Sequence, residues 1–349
     1  MKKLLLLGVA ATIFSSLSFA AIRRVGFFGP AVAGVDYPNF QAAHDASAAG
    51  DTIMMHPGSS FGSTFMTKKL VVIGPGYFLS QNAALQANTL GMDSISGYLE
   101  ITNATANGSS FIGCTFPAYA CVVSGTGIEN LSFLHCWFLG DNLQSPGINI
   151  KANVNNFLFQ QCAFKGDGVV SVIVGNVVCT NMSFVNCLFY SQSGGDYGVY
   201  FNNVANSGLF QNCVWASASG SLNFIMPGTF AVNNTIGNPN SINGSGITYQ
   251  NCICTGTQFP AGNGNKQNQV WENIFTLTGS TDGQYSLKAG SPAIGAGIGG
   301  TNCGIFGSTT PYRLSGIPSV PTIYALTSPQ GGTPTVNTVQ INLGTRSNN

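Results

Sequence analysis

A short phrase built on Phe-x-x-Cys-x-Phe recurs through the middle of this 349-residue chain. The copies read FIGCTF, FLHCWF, FQQCAF, FVNCLF, FQNCVW and YQNCIC, and their first cysteines lie at positions 114, 136, 162, 187, 213 and 252. The steps between these cysteines are therefore 22, 26, 25, 26 and 39 residues. Self-similarity at a period of about 25 residues is typical of a solenoid, in which each repeat buries its apolar face against the next.

The length and composition of the repeat indicate which solenoid this is. Helical repeats need about 33–47 residues, and the leucine spacing of leucine-rich repeats is absent. The segments between the cysteines are rich in Asn, Gly, Ser, Val and Phe, which is a strand and turn composition. We therefore predict an all-β fold, a right-handed parallel β-helix with about 25 residues per coil. Each coil would hold about three short strands, and the coils would stack about 4.8 Å apart.

The residue directly before each repeat cysteine predicts a sharp turn. These residues, which we call the turn column, are Gly113, His135, Gln161, Asn186, Asn212 and Asn251. Gly, Asn and His tolerate a positive φ, and they make up the turn column except for Gln161. The aromatic residues three positions before and two positions after the cysteine would fill the core.

The ten cysteines are predicted to be mostly buried free thiols. In-register side chains on stacked coils keep their Cβ atoms about 4.8 Å apart, beyond the usual disulfide range of about 3.5–4.5 Å. Cys121, Cys179, Cys254 and Cys303 lie off the ladder, which leaves one bridge among them open. Because a single residue separates Cys252 from Cys254, these cysteines do not have the usual spacing of zinc ligands.

The N-terminus predicts export. Lys2 and Lys3 precede an apolar run from 4 to 14, and Ser18-Phe19-Ala20 ends in the small residues that a signal peptidase requires. We expect a signal peptide at 1–20, a β-helix domain at 21–310 with its cap at about 21–58, and a C-terminal extension at 311–349. No later stretch reaches the roughly 18 apolar residues of a membrane span. The expected location is therefore secreted or at the cell surface.

Charge is scarce in this chain. Charged residues make up 7% of the sequence, where about 25% is usual, and the formal net charge is +1. Without a basic patch, nucleic acid and anionic membranes are not expected partners. A surface of Asn, Ser, Thr, Gly and Gln suits the hydroxyl groups of an extracellular polysaccharide, and it suits simple solubility equally.

Two segments resemble a known family. Residues 36–58 read DYPNFQAAHDASAAGDTIMMHPG, a short amphipathic helix followed by a turn and a strand. Together with the Cys and Asn ladders, this resembles the opening of secreted right-handed β-helix proteins of the pectin-lyase-like superfamily. Residues 291–297 and 303–307 resemble the closing coil of such helices. The tail after 311 is similar to that of uncharacterised exported bacterial members, and we expect it to cover the last coil, with docking to a partner as the alternative.

The resemblance implies enzymatic motifs that this chain lacks. Lyases of the superfamily use an acidic calcium site and an Arg or Lys base, but no arginine lies between Arg24 and Arg313. Its polygalacturonase-like hydrolases use a Gly-Asp-Asp step and a His-Gly, and neither occurs here. The lyase and hydrolase motifs therefore do not carry over.

One set of residues nevertheless suggests chemistry. Asp141, Asp167 and Asp196 each follow a glycine downstream of a ladder cysteine, and Asp141 and Asp167 would lie about one coil apart. Carboxylates about 5–5.5 Å apart suit a retaining glycosidase, and oxygens at that spacing could also hold calcium. Lys165, two residues before Asp167, could act as a base. The alternative is that Gly-Asp is ordinary turn chemistry.

These residues define two functional hypotheses and a third without a ligand. The leading hypothesis is a non-catalytic extracellular protein that binds glycan or takes part in surface adhesion, with no cofactor, through Trp137, Tyr190, Tyr197 and Asp196. The second is a polysaccharide lyase or glycoside hydrolase with Asp141, Lys165 and Asp167 as catalytic residues. The third is a purely structural surface protein. The oligomeric state and the metal, if any, do not follow from the sequence.

Overall fold

The architecture is a stack of coils built from three long parallel sheets. The computed structural model describes residues 20–26, 30–92, 97–117, 119–140, 146–166, 172–174, 177–191, 196–217, 222–239, 241–327 and 341–347. The predicted signal segment up to residue 19, Asp141 and Asp167 lie outside the described residues. From the strand Thr52–Met55 to the strand Ile253–Cys254, successive strands fall in different sheets, and the next strand of the same sheet belongs to the following coil. This arrangement confirms the predicted parallel β-helix.

Sheet A is the longest of the three sheets, with eleven strands in the described ranges. In stacking order its strands are Asp36–Tyr37, Ile22–Val25, Thr52–Met55, Val71–Ile73, Ser110–Ile112, Ser132–Leu134, Leu158–Gln160, Met182–Val185, Asn206–Gln211, Gly228–Asn233 and Gly246–Gln250.

Sheets B and C complete each coil. In the described part of the chain, sheet B contains Thr64–Met66, Leu99–Ile101, Cys121–Val123, Ile148–Ile150, Val172–Val174, Tyr197–Tyr200, Asn223–Ile225 and Ser241–Asn243. Sheet C contains Thr115–Phe116, Trp137–Leu139, Ala163–Gly166, Leu188–Ser191, Val214–Ser217, Ile236–Gly237 and Ile253–Cys254. A small sheet at the corner between B and A contains Ile128–Glu129, Val154–Asn155 and Cys179–Thr180.

Helices are short in the regions that the structure describes. The α-helices are α1 at Phe40–Ala46 and α2 at Trp271–Ile274. The 3₁₀ turns lie at Leu79–Asn82, Ala104–Ala106, Gly283–Tyr285, Ile298–Gly300 and Leu314–Gly316. An antiparallel pair, Thr322–Thr327 with Asn342–Arg346, stands outside the three long sheets.

Two columns of phenylalanine rings fill the core. Because each strand pairs in register with its neighbour one coil away, equivalent rings stack face to face. From Phe111 to Phe210 successive ring centroids in sheet A are 5.1, 5.0, 4.8 and 4.6 Å apart, with planes within 9°. From Phe116 to Phe189 in sheet C the separations are 5.0, 4.9 and 4.6 Å. These spacings lie in the favourable range for aromatic pairs, so the motif aromatics are structural.

The cysteines are also structural. All ten are buried and free, including the four for which one bridge remained open. The thiol of a ladder cysteine donates to the carbonyl of the core aromatic one coil earlier, as from Cys162 to Phe133 at 3.2 Å and from Cys187 to Phe159 at 3.3 Å. Burial raises the pKa of the Cys213 thiol to about 12. A small, weakly polar side chain therefore fills the turn and bonds to the preceding coil.

The turn column adopts the predicted backbone. All six of its predicted residues have φ between 53° and 65°, Gln161 included. The structure adds a coil that the repeat search missed, because Asn234 also has a positive φ of 50° and Thr235 stands in the place of the cysteine. The step of 39 residues is thus two coils, from 213 to 235 and from 235 to 252. Thr235 is small and buried like cysteine, and its hydroxyl donates to the carbonyl of Asn233 at 3.1 Å.

The cap helix α1 covers the first coil. Asn39 caps its N-terminus by accepting from the Ala42 amide at 2.9 Å. Phe40, Ala43 and His44 are buried against the core, whereas Ala46 at the end of the helix is exposed. His44 is held inside because its Nε2 accepts the Thr67 amide at 3.1 Å.

The predicted closing coil is wrong. The last strand of sheet C ends at Cys254. Residues 291–318, which we call the strap, run back along the stack of coils. Ala296 contacts the last coil, Thr310 contacts a middle coil, and Ser315 contacts the loop near the first coils. The β-helix therefore ends well before residue 310, and the segment after 311 packs far from the last coil that it was expected to cover.

Candidate functional site

The outer face of sheet C is a packing surface. Alternation along its strands turns Ala163, Leu188, Val214 and Ile236 outward, yet all four are fully buried. They form an outer hydrophobic cluster with residues of the strap and the segment before it: Ile274, Phe275, Tyr285, Ala293, Cys303, Ile305 and Tyr312. The face therefore cannot receive an extended ligand.

Trp137 and Tyr190 lie together at the N-terminal part of this cluster. The Trp137 Nε1 donates to the Tyr190 hydroxyl at 3.2 Å, and the Phe78 ring lies 4.7 Å from the Trp137 ring. Tyr190 is only 4% exposed. Tyr190, a predicted glycan-binding residue, is therefore buried, because the loop carrying Tyr77 and Phe78 packs on this pair.

Lys165 belongs to the same outer face. It is half-buried and pairs in register with Leu139 on one side and Tyr190 on the other. Its proposed partners Asp141 and Asp167 lie outside the described residues, so the catalytic triplet stays a prediction.

Asp196 and Tyr197 lie at the start of a sheet B strand. The Ser191 hydroxyl donates to the buried Asp196 carboxylate, and the Asp196 carbonyl accepts the Asn223 amide at 2.8 Å. Asp196 therefore ties neighbouring strands together. Tyr197 is half-buried with its ring 5.5 Å from that of Tyr200, on a different face from Trp137. The four candidate ligand-binding residues do not converge on one surface.

A groove with many hydroxyl and amide groups lies on the outer face of sheet A. It encloses about 500 Å³ across the later coils. Its lining residues are Asn156, Asn181, Met182, Ser183, Ser207, Gly208, Leu209, Thr229, Phe230, Ala231 and Thr248. None of these lining residues, all of which are described, carries a formal charge. What the groove can do is form hydrogen bonds through hydroxyl and amide groups.

The strand register builds this groove in rows. One row runs from Ser183 through Leu209 and Ala231 to Thr248, and a second places Ser207 beside Thr229. In the first row two hydroxyl residues flank two aliphatic ones, and in the second row two hydroxyl residues are adjacent. Neighbours within a row lie at the interstrand spacing of about 4.8 Å. Gly208 adds no side chain to the groove, and a Cβ at this position would stand only 2.4 Å from the Met182 carbonyl oxygen.

Sequence reasoning missed this groove, although a signal was present. Residues directly before the repeat aromatics must point outward because strand side chains alternate between faces. Several of them are serine or threonine: Ser110, Ser132, Ser183 and Thr248. The search for charged and aromatic residues passed over these hydroxyl groups.

A larger cavity lies between the first coils and the tail. It encloses about 710 Å³, with mainly apolar walls that include Met54, Ile73, Pro318, Val320 and Ile323. His56 borders it, and burial together with the nearby Arg24 lowers the pKa of His56. The apolar lining fits a seam where the tail packs on sheet A, and it does not match a hydroxyl-rich ligand.

The described residues contain neither a cluster of metal ligands nor a membrane-spanning helix. Within the described ranges, no three His, Cys, Asp or Glu side chains are grouped so that they could bind one metal ion. Nor does the described part of the chain contain a helix with the length and apolarity needed to cross a membrane.

Comparisons with known proteins do not identify a family. No family model matches the sequence, and no curated protein does. Among solved structures the chain is similar to the tailspike protein gp49 of Acinetobacter baumannii bacteriophage Fri1, a capsular polysaccharide depolymerase, at 11% sequence identity and a TM-score of 0.34. The match covers 67% of this chain and 56% of the tailspike chain, so this chain spans little more than half of that protein.

Proposed function

We propose that this is a secreted or cell-surface protein that binds a neutral polysaccharide along the outer face of sheet A, without turning it over. The observation that carries the proposal is the uncharged groove between Asn156 and Thr248. Hydroxyl and amide groups can bond to sugar hydroxyls, while Leu209 and Ala231 can contact the apolar faces of sugar rings. Acid–base catalysis of glycoside cleavage uses a pair of carboxyl groups, and no lining residue of the groove supplies one.

The neutral character of the ligand follows from charge. A uronate-rich polymer is normally recognised through Arg or Lys, which can pair with carboxylates. No lysine or arginine lines the groove. Hydroxyl and amide groups from several successive coils instead suit a chain of hydroxyl-rich units. Adhesion to a glycan-coated surface is the biological role that this binding would serve.

The test is glycan-array binding followed by titration calorimetry on the chain that starts at Ala21. Thr229 is exposed in the groove, and the substitution Thr229→Trp would block it. The matched control is Asn243→Trp, since Asn243 is exposed on the last described strand of sheet B, away from the groove. We expect Thr229→Trp to weaken binding at least about tenfold, the equivalent of about 1.4 kcal/mol, and Asn243→Trp to leave it unchanged. Equal effects of the two substitutions would contradict the proposed location.

The enzyme hypothesis needs a separate assay. The same glycans are incubated with the protein, with calcium present or chelated, and reducing-end and unsaturated products are measured. If the natural chain forms products and the Asp167→Asn variant does not, the result supports the hypothesis of a lyase or hydrolase with Asp141, Lys165 and Asp167 as catalytic residues. Saturable binding without products supports the proposal. Neither binding nor products would favour a structural surface protein.

A further inference from the structure

The first described strand begins beside a buried carboxylate. The Ala21 backbone nitrogen donates to the Asp51 Oδ1 at 2.8 Å. Asp51 is 3% exposed, and its other oxygen accepts the Ala48 amide at 2.9 Å and pairs with Arg23 at 3.1 Å. Among the described residues, only Ala21 donates a hydrogen bond to Asp51 Oδ1. The Ala21 carbonyl in turn accepts the Thr52 amide at 2.8 Å, so Ala21 is held in position from both sides.

The position of Ala21 coincides with the predicted cleavage point. The sequence predicts that a signal peptidase cuts after Ala20. Ala20 is exposed, whereas Ala21 is half-buried and directly precedes the strand Ile22–Val25. Hydrolysis of this peptide bond consumes one water and leaves a carboxylate on Ala20 and an α-ammonium on Ala21. The nitrogen that faces Asp51 would therefore change from a neutral amide to a cation.

We propose that Asp51 is a binding site for the mature amino terminus, so that removal of the leader stabilises the folded protein. An ionised donor strengthens a hydrogen bond to a carboxylate about twofold relative to a neutral donor. Burial of Asp51 alone would raise its pKa, but the Ala21 and Ala48 amides and Arg23 hold the pKa below its usual range, so the carboxylate is charged at neutral pH. The new ammonium joins Arg23 as a second cation on it.

The pairing has a pH signature with a definite sign. An α-amino group ordinarily has a pKa of about 7.7–8.0, and a facing carboxylate raises it in the folded state. Its contribution to stability is therefore complete below about pH 7.7 and is lost as the pH rises through the higher folded pKa. The charged and titratable groups around it are Arg23, Asp51, Tyr37 and the Arg24–Asp36 pair, with Lys69 beyond Gly50. They are the same in the three N-terminal forms compared first below.

The experiment compares three forms of the protein: the chain starting with a free Ala21 amine, the same chain acetylated at Ala21, and the chain extended by Ser-Gly before Ala21. Urea unfolding is measured from about pH 6 to 10. We expect the free-amine form to have an unfolding constant roughly fivefold to tenfold lower than the other two at pH 6, with the advantage disappearing by about pH 10. Equal stability of all three forms at pH 6 would overturn the proposal.

Asp51→Asn provides the second arm. In this background the free and acetylated forms should be equally stable, because the ammonium has lost its carboxylate. A difference that persists would place its cause elsewhere and would contradict the assignment. Should Asp51→Asn fail to fold, the acetylated form still decides the question, since it leaves Asp51 intact. N-terminal sequencing of the exported protein must also yield Ala21; another first residue would reject the site.

Discussion

Side chains of the turn column both allow a left-handed backbone and hold the strap. The Asn251 amide donates to the Ala296 carbonyl at 2.7 Å, and Asn234 Oδ1 accepts the Ile298 amide at 2.8 Å. Further along, Asn186 donates to the Ser308 hydroxyl at 2.6 Å and to the Thr310 carbonyl at 2.5 Å. An irregular segment such as the strap leaves backbone groups that need partners, and the column supplies them. This explains why amide side chains occupy a turn where glycine would suffice.

Asn186 separates these two effects. Asn186→Gly keeps the positive φ of 53° but removes both strap bonds, so we expect a loss of roughly 1–3 kcal/mol in the free energy of unfolding. Asn186→Ala should cost about 1 kcal/mol more, because alanine must also adopt the left-handed conformation. Urea denaturation measures both. The control is Asn156→Gly, at φ 58° but exposed and away from the strap, where a loss as large as that of Asn186→Gly would contradict this account.

His135 makes the column sensitive to pH. Burial, together with the nearby Arg313 charge, lowers the pKa of His135 to about 4 from an ordinary 6.5. Because the unfolded chain binds the proton first, His135 should reduce stability as the pH falls from about 6.5 to 4, by at most about 1.4 kcal/mol per pH unit. Below pH 4 its contribution levels off.

The substitution His135→Asn tests this sign, since asparagine accepts the positive φ of 55°. We expect the variant to lose less stability than the natural chain between pH 6.5 and pH 4, as measured by urea unfolding at each pH. Parallel curves for the two proteins in this window would show that His135 does not titrate on unfolding as described.

At the scale of elements, the strap is seated by close backbone approach. Gly316 has a φ of 54°, and a Cβ there would stand 2.2 Å from Tyr77 Cε1 and 2.6 Å from the His135 carbonyl oxygen. The Tyr77 and Tyr312 hydroxyls are bonded at 2.6 Å, and the buried Asp282 accepts the Ser315 amide at 2.6 Å. The strap, the loop around Tyr77 and sheet C therefore pack as one unit.

Gly316→Ala should unseat this part of the strap. We expect a loss of stability roughly 1–3 kcal/mol larger than that of Gly299→Ala. Gly299 also has a positive φ, of 69°, but a Cβ there meets nothing within 4 Å, so its substitution reports the backbone cost alone. Thermal unfolding and limited proteolysis of residues 291–318 provide the measurements. Indistinguishable behaviour of the two variants would mean that Gly316 is not closely packed.

At the scale of the whole molecule, one continuous aromatic and thiol core runs through the stack. Each coil contacts chiefly its neighbours, so the stability of the solenoid is approximately a sum of coils and interfaces. The strap adds contacts that join distant coils, from Asn251 near one end to Gly113 near the other, where Gly316 and Pro318 lie beside Gly113. It should therefore oppose the independent opening of single coils.

The ten thiols report on this behaviour. Because all ten thiols are buried and free, the folded protein should react negligibly with a water-soluble thiol reagent. The denatured protein should consume ten equivalents of the reagent. Burial also raises the pKa of the Cys179 thiol to about 12, which keeps it in the unreactive protonated form. The amplitude and rate of labelling are the measurements. Rapid labelling of several thiols in the native state would indicate coils that open independently.

The sequence by itself determined the repeat, the parallel sheets, the left-handed turns and the free thiols of the cysteine ladder. Each of these depends on residues that recur at one fixed position, and stacked coils place equivalent positions directly above one another. Where a single residue departed from the pattern, as Thr235 did, the repeat search lost a coil even though threonine fits the same buried space.

Only the tertiary structure decided which outer face is open. Trp137 and Tyr190 alternate outward in sequence, yet they pack in one cluster with Tyr77, Phe78 and residues of the strap, because sheet C carries a second apolar face. Sequence alternation reports which way a side chain points from its strand, and it does not report what a segment more than 100 residues away will pack upon. The same limit hid the sheet A groove, whose hydroxyl and amide residues come from several coils and become neighbours only through strand register.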